Sequence, residues 1–562
     1  MIRPITLLLL FLFVYSHSQA QRADSVIIRG RILNLTAPLY RQAPAITFTR
    51  NNLLQPQSEL ARQAPLQADG SFRVALPLIF PQEEVYLDYG GKVFTTFLAS
   101  PGQVEITFDA DSMFKARRLF YFAGVNAEAN NQYARYAMEE SRLLRENKRL
   151  GANFYDHLWE QGTLPVRRAV QNRADLRLSA LRAAADQGVI APALQRWARA
   201  ITDEEQLTTL YEHAMANGVQ VERDLLDSLN RLIASPLTLQ RITWGQTFSN
   251  YATRQITEAA FANPNWNRSL PVDLLAQLIK TYVSPLSQSE RVQLDRIISE
   301  ERISRDGVDF LSSLYGRNRR LLDIITQFEK MKRAYSELYN STAAEFLMAR
   351  YLVDQFYLYN LDQQKIMYNH VRRQLEVPRI RQSLDELYRL EVKDSTLVRL
   401  AQTRTDLGQD PTEVLPGIWI AQSEGNGREW FKRIEELYKN KALYLVKWSL
   451  RDEASRREVA FVPALRAQLP DDVEVIYIHL PTEEMPPAQE LWRQYILRHQ
   501  LRGVHLYLND AQAMQLLFRL NPISVPTFGI LKPNGKNFTR RAPPPSEGAE
   551  AYKSLMKARQ SH

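Results

Sequence analysis

Asp452 and Ser455 lie in the stretch Lys441–Glu458, KALYLVKWSLRDEASRRE. The apolar run before them reads as a buried strand, then comes a short turn, and the charged run opens a helix. A carboxylate and a hydroxyl at a helix start have two uses. They accept hydrogen bonds from free backbone N–H groups and suit the helix dipole, or Asp452 does general acid–base work, for which the sequence offers no partner residue. The histidines His479, His499 and His505 lack helical i, i+4 spacing, and no cysteine joins them, so no metal site is expected. There is no Gly-x-Ser-x-Gly elbow, no phosphate-cradling Gly-x-x-x-x-Gly-Lys loop and no Gly-x-Gly-x-x-Gly turn. The sequence holds no cysteine, which removes thiolate chemistry. No catalytic residue, metal or cofactor is expected.

The element that positions Asp452 and Ser455 resembles the strand, turn and helix of TlpA-like thioredoxin-type oxidoreductases. There a hydrophobic strand ends in Phe-Trp-Ala and leads to Cys-x-x-Cys-Arg. Trp448 matches the tryptophan, and Asp452 and Ser455 fall where the two cysteines belong. Val446 stands where many redox-active members carry a buried acid two residues before the tryptophan. The resemblance implies a thioredoxin-like domain over residues 418–562 from which the redox reaction is lost. It continues through the strand Val473–Ile478, an inserted helix Pro487–Gln500, a strand Val504–Leu508 and a helix Ala511–Arg519. The strand Ile523–Ile530 follows, then a last helix Glu547–Arg559. In the resembled fold the Val525–Pro526 peptide is cis and exposes the backbone beside the helix start, where an extended partner segment can pair with it. Trp448 is then either an aromatic facing that partner or a core tryptophan. The residues expected at a partner surface are Trp448, Asp452, Ser455, Val525 and Pro526.

The rest of the chain supplies context. Met1–Gln21 has a positive Arg3, an apolar run Ile5–Tyr15 and a small-x-small site Ser18-Gln19-Ala20, so residues 1–20 read as a cleavable export signal. Without cysteine a lipoprotein is excluded, and a periplasmic location is expected. Residues 21–125 alternate with period two, with turns at Asp69-Gly70 and Gly90-Gly91, and predict an antiparallel sandwich or barrel of about seven strands. Asp69-Gly70-Ser71-Phe72, Pro101-Gly102 before Val104-Glu105-Ile106, and the run Gly124–Asn130 resemble the β domain that precedes many TlpA-like thioredoxins. Residues 126–405 predict about ten helices broken at glycines and prolines. Residues 406–417 predict a linker. The fold class expected is multidomain α+β. The net charge of +9 is spread without a basic block, so no nucleic-acid partner is expected, and no later apolar run has the length of a membrane helix. The expected partner is an envelope protein or an extended peptide. The alternative is an envelope scaffold or oligomer subunit descended from an oxidoreductase, and the sequence fixes no oligomeric state.

Overall fold

Alternation in Ser25–Leu33 (β1) puts Val26, Ile28 and Ile32 into one buried core, as a strand covered on one face requires. The computed structural model describes residues 25–561 except 57–59, 114, 117–118, 186–187, 264, 268, 301–302, 403–406, 481–487, 517–518 and 520–524. The expected signal segment lies outside them. After β1 come β2 (Ala45–Arg50), β3 (Arg62–Pro65), β4 (Ser71–Pro77), β5 (Glu83–Tyr89), β6 (Val93–Ala99), β7 (Gly102–Asp109) and β8 (Tyr121–Gly124). They form two four-stranded sheets, ordered β4-β1-β7-β8 and β3-β2-β5-β6. The expectation of a wholly antiparallel arrangement is corrected by β1 and β7, which pair in parallel. Between β1 and β7 the chain visits the second sheet twice, for β2–β3 and for β5–β6, with β4 back in the first sheet between them, and this long path supplies the crossover a parallel pair needs. Gly70 takes φ +80° in the Asp69-Gly70 turn, a conformation that favours glycine.

Between Ala127–Glu146 and Ser395–Gln402 the described residues form fourteen α-helices, where about ten were expected. Several helices begin at polar caps that glycine and proline do not mark. Ser287 forms a capping box with Glu290, and Ser304 accepts from the Gly307 N–H.

The chain divides into two compact units, residues up to 353 with 367–387, and 354–366 with 388 onward. The sandwich and most of the helices, expected as separate domains, share the first unit. A polar seam joins them. Leu237 and Glu83 form an isolated parallel bridge. The Glu84 carboxylate accepts from the Trp197 Nε1–H at 2.5 Å, the Leu239 N–H at 2.7 Å and the Tyr86 hydroxyl at 3.1 Å. Glu83 accepts from the backbone N–H groups of Ile79 and Phe80, and buried Arg50 pairs with Glu386. Glu204 pairs with Arg241 and accepts from Thr238.

The second unit carries a seven-stranded sheet ordered β15-β14-β11-β12-β13-β10-β9. Its strands are β9 (Thr412–Leu415), β10 (Ile418–Gln422), β11 (Ala442–Trp448), β12 (Val473–His479), β13 (Gly503–Tyr507), β14 (Thr527–Leu531) and β15 (Asn537–Thr539). The pairs β11–β12, β12–β13 and β13–β10 are parallel, while β14, β15 and β9 join antiparallel. Strand, helix and strand therefore alternate through a mostly parallel core and end in an antiparallel hairpin, which is a thioredoxin-like arrangement. Every residue of β11 is buried, as a strand covered on both faces must be. Three local expectations are corrected. The stretch read as a linker contains β9, which pairs with β10. The single helix that the charged run was expected to open is two helices, Glu453–Val459 and Val462–Arg466, the second opening on Pro463. The strand expected from Ile523 begins at Thr527, and Ile523 and Ser524 lie outside the described residues. Among the described residues no helix is long and apolar enough to cross a membrane.

Candidate functional site

The turn after β11 is built by local hydrogen bonds. Asp452 is the N-cap of Glu453–Val459, in extended conformation, and its carboxylate accepts from the Ser455 N–H at 2.6 Å. The Ser455 hydroxyl is buried and accepts from the Ser449 N–H at 3.2 Å. The Leu450 N–H donates to His479 Nε2 at 3.1 Å. Arg456 donates to the Leu450 carbonyl at 2.7 Å and lies 3.8 Å from the centre of the Tyr357 ring. Glu458 accepts from the N–H and hydroxyl of Ser546 at 3.1 and 2.9 Å. Each group therefore works at fixing the turn, and among the described residues the bond Asp452 makes is that of a cap.

Beneath the turn one face of the sheet is lined by rings. Register sets Trp448 beside His479 and His479 beside Tyr507, with Tyr477 beside His505 in the next row. His479 stacks on Tyr507 at 4.9 Å and meets Trp448 edge-on at 5.5 Å. His505 stacks on Tyr477 at 4.3 Å. Trp492, from the helix Ala488–Arg498, roofs both rows. His479 Nε2 accepts a hydrogen bond, so its proton sits on Nδ1. Neither that nitrogen nor the indole nitrogens of Trp448 and Trp492 has a hydrogen-bond partner among the described residues. Burial pushes both imidazoles down to about 3, so they are neutral at ordinary pH. Trp448 is fully buried, which corrects its expected place at a partner surface. The inserted helix covers it. Ser455 is corrected in the same way, because its hydroxyl holds the turn from inside.

On the opposite face Lys447 is buried, and loss of water pushes its amine down to about 8. The sequence reading passed over it. The signal was present, since a lysine inside an apolar strand is uncommon.

Register pairs Thr527 with Lys447. Val525 and Pro526, joined by a cis peptide, therefore reach the sheet end where β11 runs into the turn. Both are partly exposed, as is Asp452. Of the five expected residues, Asp452, Val525 and Pro526 reach the surface at one end of the sheet, and Trp448 and Ser455 do not.

A half-exposed position at a helix start, with a buried one three residues later, suits an attacking thiol and a resolving thiol. We expect Asp452→Cys/Ser455→Cys to form an internal disulfide and to reduce insulin in the presence of dithiothreitol, above the parent and both single variants. A double variant whose thiols stay unpaired under oxidising conditions would show that the turn has lost the needed spacing.

No family model matches this chain, and no curated protein matches it. Two solved structures are similar to part of it. One is a solution structure from Bacteroides vulgatus assigned to the thiol-disulfide oxidoreductases, 20% identical, covering 22% of this chain and 78% of its own, with a TM-score of 0.19. The other is a crystal structure of the thioredoxin domain of a thiol-disulfide oxidoreductase from the same organism, 15% identical, covering 22% of this chain and 81% of its own, with a TM-score of 0.19.

Proposed function

We propose that this chain is an exported, redox-inactive relative of TlpA-like thioredoxins that binds an extended segment of an envelope protein. The surface is Val525-Pro526 with Asp452. The observation that carries the reading is the partly exposed strand end at Val525-Pro526, beside a turn whose two reactive positions hold Asp452 and Ser455 in a chain without cysteine. An extended peptide gains affinity there from main-chain hydrogen bonds and specificity from alternate side chains. Binding of the purified protein to an array of extended peptides tests this. Val525→Asp, which sets a charge at the strand end, is expected to weaken the best binders at least about ten-fold, or about 1.4 kcal/mol. Equal binding by parent and variant would overturn the reading.

The scaffold alternative has one observation in its favour. Arg456, Glu458 and Ser455 are all engaged within the unit, leaving few groups at the turn for a visitor. In that case Val525→Asp leaves the native assembly of the protein in its host envelope intact.

A further inference from the structure

The sandwich has two edge strands, β6 and β8, each the last strand of its sheet. β6 reads Val93-Phe-Thr-Thr-Phe-Leu-Ala99, with β-branched and aromatic residues, no charge and no proline. Such a segment at an edge invites pairing with another chain. Phe94 is 81% exposed on it.

Two consecutive amides of the helix Ala127–Glu146 occupy these edges. Asn130 accepts from the Leu98 N–H at 2.8 Å and donates to the Leu98 carbonyl at 3.1 Å. Asn131 accepts from the Phe122 N–H at 3.0 Å and donates to the Phe122 carbonyl at 2.7 Å. Each side chain makes the pair of bonds that a residue of an added antiparallel strand would make. Asn126 adds its amide to the Leu98 carbonyl and to Ser100 Oγ, and makes no side-chain cap at its own helix start. In an antiparallel ladder alternate residues face outward, so on β6 only Phe94 and Thr96 keep outward backbone groups.

We propose that Asn130 and Asn131 act as stand-in strands that close the neighbouring edges of both sheets against pairing with a second copy of this chain. Asparagine is a mediocre helix former, and here its amide serves a neighbouring sheet. A helix start bearing other side chains would leave two sheet edges open at once.

Sedimentation of the full chain tests the proposal. Asn130→Ala is expected to give larger species than the parent, growing with concentration, and to raise hydrogen exchange at the Leu98 amide at least about ten-fold. Adding Thr96→Lys, a charge on the opened edge, returns sedimentation to that of the parent. Asn131→Ala with Ala123→Lys is the matching pair for β8. A folded Asn130→Ala variant that exchanges faster at Leu98 yet sediments like the parent overturns the proposal. So does association that Thr96→Lys leaves unchanged. If Asn130→Ala is recovered only as insoluble protein, recovery of soluble protein with Thr96→Lys supports the proposal, and no recovery overturns it.

Discussion

Acidification from about pH 7 to about pH 4 is expected to unfold the 354–366 and 388–561 unit through two buried imidazoles. His479 and His505 are fully enclosed, and burial holds both at about 3 in the fold against an ordinary value of 6.5. A group with a depressed folded value leaves stability intact above its unfolded value. As the pH falls below 6.5 the unfolded chain takes up protons that the folded chain refuses, so stability drops until about pH 3. Each unit of that gap is worth about 1.4 kcal/mol per histidine, so the pair removes on the order of 6 kcal/mol by about pH 4. That is comparable to the whole stability of a typical domain. The contacts explain why the rings stay neutral. A charged His479 would turn an N–H toward the Leu450 N–H that it now accepts from, and both rings lie against aromatic faces, with no carboxylate contact on the imidazoles among the described residues. The test is hydrogen exchange of peptides from this unit as a function of pH. His479→Gln, which keeps an acceptor for Leu450, combined with His505→Phe, which keeps the stack on Tyr477, is expected to move the acid midpoint at least about half a pH unit lower. Equal midpoints in parent and double variant would assign the acid response to other groups.

The thioredoxin-like order was legible because strands buried on both faces appear as unbroken apolar runs. β11 and β12 are fully buried and stand out in the sequence for that reason. The cap was legible too, since aspartate at a helix start has a local cause. Trp448 was not. Its burial depends on Tyr495, which a helix more than forty positions later brings over the same face, and spacing near Trp448 carries no trace of that. β9 was missed because Thr412–Leu415 sits between Pro411 and Pro416. Four residues are too few to show alternation, and an edge strand tolerates flanking proline. The Asn130-Asn131 clip was equally hidden. The run is visible as two amides near a helix start, but its partners are backbone groups that only the assembled sandwich places within reach.

Glu84→Ala is expected to destabilise the first unit by on the order of 3–5 kcal/mol, the size seen when one member of a buried charged network is removed. The carboxylate is the acceptor for the Trp197 indole, the Leu239 N–H and the Tyr86 hydroxyl. Trp197 is fully buried, so water cannot replace the lost acceptor without opening the seam between sandwich and helices. Glu84→Gln keeps one acceptor oxygen and is expected to cost less than half as much. Urea unfolding followed by the exchange of β5 peptides measures both, and equal loss in the two variants would point to shape rather than hydrogen bonding. The same seam reverses the pH response of the other unit. Burial pushes Glu204 up to about 7, with Arg241 and Thr238 pulling the other way, and raises Glu84 as well. A raised carboxyl contributes stability that is complete below its unfolded value of 4.5 and is lost as the pH climbs through about 7. The first unit should therefore loosen from about pH 4.5 to about pH 7, while the second grows firmer only up to about pH 6.5. Glu204→Gln, which cannot ionise, is expected to flatten that slope. A slope that survives in Glu204→Gln would assign it to another raised carboxyl of the seam, such as Glu84.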